Sequence, residues 1–181
     1  MPASQSCPLG EYSAEVGPAA VDASFENFFA AEYRRVLGLI VVLCGDRGVA
    51  EELAQDAFIN AYRAWSRIAR YDDPAAWVRR VAANLATSKL RRRGREARAL
   101  ARFSIQRTRA DVDTERSETD HFWAAVRALP RRQSQCVALH YLEDRPTAEI
   151  AAVLGIAEPT VRVHLHNARA ALAARFHEEA P

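Results

Sequence analysis

Thr160, Arg162, Val163, His166 and Asn167 share one side of a segment whose Val161, Leu165, Ala168 and Leu172 recur at helical spacing on the other. At roughly 100° per residue the apolar four form a buried stripe. The outward side then carries hydrogen-bonding groups, a cation and one small apolar side chain. An amide or guanidinium on a helix can pair bidentately with a purine edge, so this set suits reading bases in a DNA major groove. The segment belongs to a longer run, TAEIAAVLGIAEPTVRVHLHNARAAL from Thr147 to Leu172, that reads as helix, tight turn and helix. Ile150, Val153 and Leu154 give the first helix an apolar face. Gly155 stands where a left-handed terminator is wanted, Ile156 can fill the angle between the helices, and Pro159 suits the first turn of the second. A helical hairpin in an ordinary all-helical protein would share the apolar pattern, but not the outward set.

Charge marks two further regions. The net charge of the 181 residues is only +2, yet it is unevenly distributed. From Lys89 to Arg109 nine basic residues oppose Glu96 alone, and between Asp111 and Asp120 the sign reverses, with five acids against Arg116. With Arg79 and Arg80 upstream, Lys89, Arg91, Arg92 and Arg93 can neutralise several phosphates and impose a strong salt dependence while carrying little sequence information. The other region is Val49 to Ala64, read as a helix with Leu53, Ala57 and Tyr62 facing inward and Glu51, Glu52, Gln55, Asp56 and Asn60 outside. On charge alone the latter set is a solvated acidic face.

The composition limits the chemistry. Cys7, Cys44 and Cys136 have no paired spacing for zinc or redox work, and their odd number argues against a closed disulfide set. They are expected to be small core or surface residues. The five histidines show no ligand spacing, and His164 and His166, two apart on a helix, diverge. No carboxylate or metal set stands beside the basic strip, so no catalytic residue, metal or cofactor is expected. The apolar run from Val36 to Cys44 is well short of the roughly 20 residues that span a bilayer, and no signal peptide is evident. A cytoplasmic protein without membrane insertion is expected.

The elements that must position these residues are helices. Only seven glycines and eight prolines, with 49% hydrophobic residues, predict an all-α fold of two small helical domains joined by a flexible linker. The expected divisions are a tail over 1–23, a first domain over 24–95, a linker over 96–119 and a second domain over 120–177. A helix beginning at Ser24 carries an apolar stripe of Phe28, Phe29, Tyr33, Val36, Leu37, Ile40 and Val41 and ends near Gly45. Arg67 to Asp73 reads as a loop. Pro74 opens a helix that buries Trp77, Val81 and Leu85 and continues into the arginines. Trp65, beside the loop, is open between core and stacking platform.

Three segments in order, AEELAQDAFINAYRAW, PAAWVRRVAANLATSKLRRRGR and LPRRQSQCVALHYLEDRPTAEIAAVLGIAEPTVRVHLHNARAAL, resemble the extracytoplasmic function group of bacterial sigma-70 type sigma factors. The resemblance covers about residues 25–177. It implies a promoter-specificity subunit of RNA polymerase, non-enzymatic and without a cofactor, with a sigma-2 like domain melting and reading the minus-10 element and a sigma-4 like domain reading the minus-35 element. It implies that Glu52, Gln55, Asp56 and Asn60 grip the beta-prime clamp of core RNA polymerase, with the beta flap a further polymerase contact. By the same resemblance Ala64 and the loop from Ile68 to Asp73, with Ile68 or Tyr71, capture a flipped promoter base beside Asn84. Ser88 replaces an acidic residue common in relatives, and Arg79, Arg80, Arg91 and Arg92 complete the minus-10 surface. Minus-35 contacts fall to His140, Thr160, Arg162, Val163, His166 and Asn167. Val163 stands where a small hydroxyl residue is common and Asn167 where a basic one is, which shifts the expected preference toward adenine. An anti-sigma factor is a further implied partner.

Two other classes compete. A stand-alone helix-turn-helix regulator would use the C-terminal module alone, but no alternation of strands and helices precedes it as a receiver domain requires. An enzyme acting on nucleic acid lacks a catalytic cluster.

Overall fold

Pro18 opens the first helix in a computed structural model that describes the backbone of residues 18–103 and 118–178 and the side chains of 24–96 and 118–178. Eight helices are described: α1 (Pro18–Cys44), α2 (Arg47–Arg63), α3 (Trp65–Ile68), α4 (Pro74–Phe103), α5 (Glu118–Ala128), α6 (Arg131–Tyr141), α7 (Thr147–Leu154) and α8 (Glu158–Glu178). The all-α expectation holds. α1 starts six residues ahead of Ser24, because Pro18 is well placed in a first helical position and the alanines after it favour helix without showing an apolar period. Likewise α4 runs past Arg95 through a stretch of Arg, Glu, Ala and Leu, strong helix formers. The expected tail over 1–17 and linker over 104–117 lie outside the described residues.

The caps are local. Asp46 accepts a hydrogen bond from the Val49 amide at 3.0 Å and starts α2; that bond and the nearby Arg93 hold its carboxyl below the usual range. Asp73 does the same for the Ala76 amide at 2.9 Å, immediately before Pro74. Gly45 closes α1 in the left-handed region at φ 77°, and Gly155 closes α7 at φ 64°.

Packing divides the helices into α1–α4 and α5–α8, and then joins the two sets. α1 packs against α2 and α4, while α8 packs against α6 and α7. Alanines do much of the close contact: Ala50, Ala54, Ala57 and Ala61 of α2 and Ala82, Ala83 and Ala86 of α4 are all fully buried. α1 also meets α5 and α6, and α4 meets α6 and α7. This explains the one misplaced stripe of α1. Val36, Leu39, Ile40 and Leu43 are its fully buried residues, whereas Leu37 and Val41 are half-buried and Phe29 is exposed. Covered from two directions, the helix has no single inward face.

Aromatic packing settles Trp65. Its ring lies 5.3 Å from Phe25 and 4.8 Å from Phe28, and only 4% of it is exposed, so it is core and unavailable for stacking on a base. Tyr62, expected inside, is 52% exposed at the rim of this cluster, 5.1 Å from Phe25. On α4 the buried face is Val78, Ala82 and Ala86, with Trp77, Val81 and Leu85 only half-buried beside it. The Arg67–Asp73 loop begins with the short helix α3 rather than with irregular chain.

Cys44 and Cys136 are buried and unpaired, and burial raises both thiols, that of Cys136 to about 11. At pH 7.4 its thiolate fraction falls below about one in a thousand. Iodoacetamide is therefore expected to leave both cysteines unmodified in the folded protein and to label them once it is unfolded. Rapid labelling of Cys136 without denaturant, seen by peptide mass spectrometry, would contradict the burial.

Candidate nucleic-acid and polymerase surfaces

The recognition-helix candidate is α8, and the turn before it is held by polar contacts as well as by Gly155. Thr147 at the start of α7 donates to Glu158 Oε1 at 2.6 Å, and Arg162 Nη2 donates to the same oxygen at 2.8 Å. These two bonds, the threonine's first, hold the Glu158 carboxyl below its ordinary range. One half-buried carboxylate thus ties both helices of the pair and orients Arg162. Sequence reasoning missed Glu158, although its spacing to Arg162 is the four-residue interval at which helical charges meet.

The outward set lies where the helical period places it. Thr160, Arg162, Val163, His166 and Asn167 are exposed, Val163 by 56%, while Val161, Leu165, Ala168 and Leu172 are buried. His140 is less free. Its Nδ1 lies 3.0 Å from the Arg145 carbonyl and its ring packs on Tyr141, so only Nε2, 3.5 Å from Arg169, remains directed outward. Arg169 also donates to the Tyr141 hydroxyl at 2.9 Å. Arg169 and Tyr141 therefore join this surface unannounced, though Arg169 continues the spacing of Arg162 and His166.

The acidic side of α2 is also presented outward. Glu52, Gln55, Asp56 and Asn60 are exposed, and among the described residues none has a hydrogen-bond or ion-pair partner for its side chain. Neighbouring Glu51 differs, being tied to Arg47 at 3.1 Å.

The α3–α4 surface departs most from expectation. Ile68 is fully buried, so it belongs to the core, and Tyr71, 43% exposed, is the accessible residue of the pair. Ala64 is half-buried at the junction of α2 and α3. Ser88, Arg91 and Arg92 are exposed, with Arg92 donating to Glu96 at 2.8 Å, a bond that raises the proton affinity of Arg92. Arg79, expected at a phosphate, is 2% exposed: Nη2 donates to Glu32 and Nε to Glu143, each at 2.6 Å. Asn84 is half-buried, its Oδ1 accepting from Arg131 and, at 3.3 Å, from Gln135. Arg80 is exposed along its length, but its guanidinium lies over Gly155 so closely that a Cβ there would meet Nη1 at 2.6 Å. What the sequence could not reveal is that α6 and α7 cover this part of α4.

No group of residues that could hold a metal ion occurs among the described residues, and no described helix is long and apolar enough to cross a membrane.

Comparison with known proteins matches the same two halves. The Sigma-70 region 2 model matches residues 28–96 and the Sigma-70, region 4 model matches residues 120–172. The chain is 30% identical to the probable RNA polymerase sigma factor RfaY of Xanthomonas campestris over 75% of its own length and 36% of that protein's. It is 29% identical to the ECF RNA polymerase sigma factor SigE of Mycolicibacterium smegmatis over 84% of its length and 62% of the relative's. It is 31% identical to the RNA polymerase sigma-E factor of Streptomyces antibioticus over 68% of each chain. The chain thus spans about a third of the first of these relatives and less than two thirds of the second. In fold it resembles the sigma factor RpoE solved with the anti-sigma factor NepR from Bartonella quintana, with a TM-score of 0.62 and 21% identity over 82% of this chain and 93% of that one. Two sigma-70 regions in order, on the helices whose outward faces have just been described, establish that the chain belongs to the extracytoplasmic function group of sigma-70 family sigma factors.

Proposed function

We propose that this protein binds core RNA polymerase and directs it to promoters, acting in the cytoplasm and performing no catalysis of its own. The observation that carries the reading is the pairing of an exposed base-reading face on α8 with an unengaged acidic face on α2, each on the family region where its task belongs. Thr160, Arg162, Val163, His166 and Asn167, with Nε2 of His140, contact the minus-35 element. Tyr71, Arg80, Asn84, Ser88, Arg91 and Arg92 lie along the minus-10 strand, with Ala64 at its edge. Glu52, Gln55, Asp56 and Asn60 meet the beta-prime clamp, and the second domain meets the beta flap. An anti-sigma factor is included as a partner because the RpoE relative was solved with one.

Run-off transcription tests the whole reading. Core polymerase supplemented with the protein is expected to start new transcripts from a subset of genomic fragments. If no fragment responds and the protein does not bind core polymerase, the reading is wrong.

The acidic face has its own test. Gln55→Lys with Asp56→Lys is expected to weaken binding to core polymerase at least tenfold while the helical circular dichroism spectrum stays unchanged, because both side chains point away from buried Leu53 and Ala57. Unchanged affinity would leave the pair as part of a merely solvated face.

A further inference from the structure

α1 carries a glycine in mid-helix, Gly38, where almost any residue with a side chain would hold the helix better. A Cβ placed there would meet no atom within 4 Å, because the helix borders a cavity of about 410 Å³. That volume is within the range of about 300–1,000 Å³ usual for small-molecule sites. Arg34 and Arg35 of α1, Arg79 of α4 and Arg145 of the turn after α6 line it, against a single carboxylate, Glu143. We propose that this cavity binds a phosphorylated small molecule that also bears a hydroxyl group, of the sugar phosphate class, the arginines holding the phosphate and Glu143 the hydroxyl.

The inner groups are fixed in place but incompletely bonded. Arg79, 2% exposed, donates from Nη2 to Glu32 and from Nε to Glu143, while its Nη1 has no partner among the described residues. Glu143 accepts from Arg79 and, at 2.8 Å, from Arg145, both at Oε2, and its Oε1 is likewise buried and without a partner. One wall of the cavity thus offers a donor on a fixed cation beside an acceptor on a fixed anion. A phosphate oxygen answers the first and a hydroxyl hydrogen the second. Neither atom is open to solvent, so a ligand meets them only once exposed neighbours such as Arg35 have changed rotamer, a fast event for a surface side chain. The outer charge is adjustable. Arg34 is exposed and has no hydrogen-bond or ion-pair partner among the described residues, and Arg35, 67% exposed, is held by Glu32 at 3.5 Å. Their long stems can bring two further guanidinium groups onto the phosphate, a geometry that favours bidentate pairing.

A nucleic acid is a poorer occupant. Glu143 and, through Arg145, Glu149 place negative charge beside the arginines, which a long phosphate backbone cannot avoid and a single phosphate can. None of the residues proposed above to contact either promoter element lines the cavity. The arginines come from α1, α4 and the turn after α6, so the complete set exists only in the folded chain. A ligand held by all of them therefore raises the unfolding midpoint as its concentration rises.

Isothermal titration calorimetry of the full chain with ribose 5-phosphate, inorganic phosphate and ribose tests the site without polymerase or DNA. Ribose 5-phosphate is expected to bind at a single site and to raise the thermal unfolding midpoint, inorganic phosphate to bind at least tenfold more weakly, and ribose not to bind. Gly38→Met fills the cavity without removing a charge, and Arg34→Ala removes an exposed cation that has no partner in the fold. Each is expected to weaken ribose 5-phosphate binding at least tenfold while the helical circular dichroism spectrum stays unchanged. Absence of binding by every probe overturns the site, and so does wild-type affinity in both variants, which puts the phosphate elsewhere on the chain. Equal affinity for inorganic phosphate overturns the role given to Glu143. Displacement of ribose 5-phosphate by a DNA duplex of arbitrary sequence overturns the choice of a small molecule over a nucleic acid.

Discussion

Arg79→Ala is expected to remove about 1.5–3 kcal/mol from the docked arrangement of the two domains, because it takes away the cation that bridges two carboxylates and leaves Glu32 with Arg35 at 3.5 Å and Glu143 with Arg145 at 2.8 Å. The side chains concerned are only 2%, 13% and 8% exposed, but Arg79 and Glu143 line an open cavity, so water replaces part of the lost partner while the domains stay together. Separation can relieve the penalty, since it rehydrates Glu143. Urea unfolding followed by circular dichroism is therefore expected to change from one transition into two, the second domain melting independently of the first. Adding Glu32→Gln and Glu143→Gln to Arg79→Met should restore much of the coupling, since an apolar or neutral set of similar volume carries no uncompensated charge. A single transition with an unchanged midpoint for Arg79→Ala would show that the buried ion pairs contribute nothing to docking.

Asn167→Ala is expected to flatten the preference at one minus-35 base pair by about 1–3 kcal/mol, roughly 5-fold to 150-fold, and to leave minus-10 preference alone. Its amide is exposed on the outward face of α8, one turn beyond Val163, and can pair with an adenine edge. Arg162 behaves differently. Its guanidinium is held by Glu158 at the flank of that face, in a place to meet a phosphate rather than a base. Arg162→Ala should accordingly weaken all promoters to a similar degree and reduce the slope of log affinity against log salt by about 1. Transcription of a randomised minus-35 library by both variants decides the matter. If Asn167→Ala leaves every base preference intact, or Arg162→Ala abolishes only one, the orientation of α8 in the groove is not the one described.

What the sequence determined by itself was local. The α7–α8 pair, its left-handed Gly155, the buried Val161, Leu165, Ala168 and Leu172, and the outward set from Thr160 to Asn167 follow from helical period and terminator chemistry, which act over a few residues. The exposed acidic face of α2 and the start of α4 at Pro74 were legible for the same reason. The tertiary structure decided which polar groups face another part of the chain. Arg79 reads as one more phosphate contact until Glu32, 47 residues away, and Glu143, 64 away, close on it. Ile68 reads as a residue of a promoter loop and Trp65 as open between core and stacking platform until the core claims both, and Tyr62 reads as core until the edge of the aromatic cluster leaves it exposed. A helical period gives the angle of each side chain about its own axis, but not how many neighbours surround that axis. For α1 and α4, covered by two domains at once, that number depends on contacts between residues far apart in the chain, which no local pattern encodes.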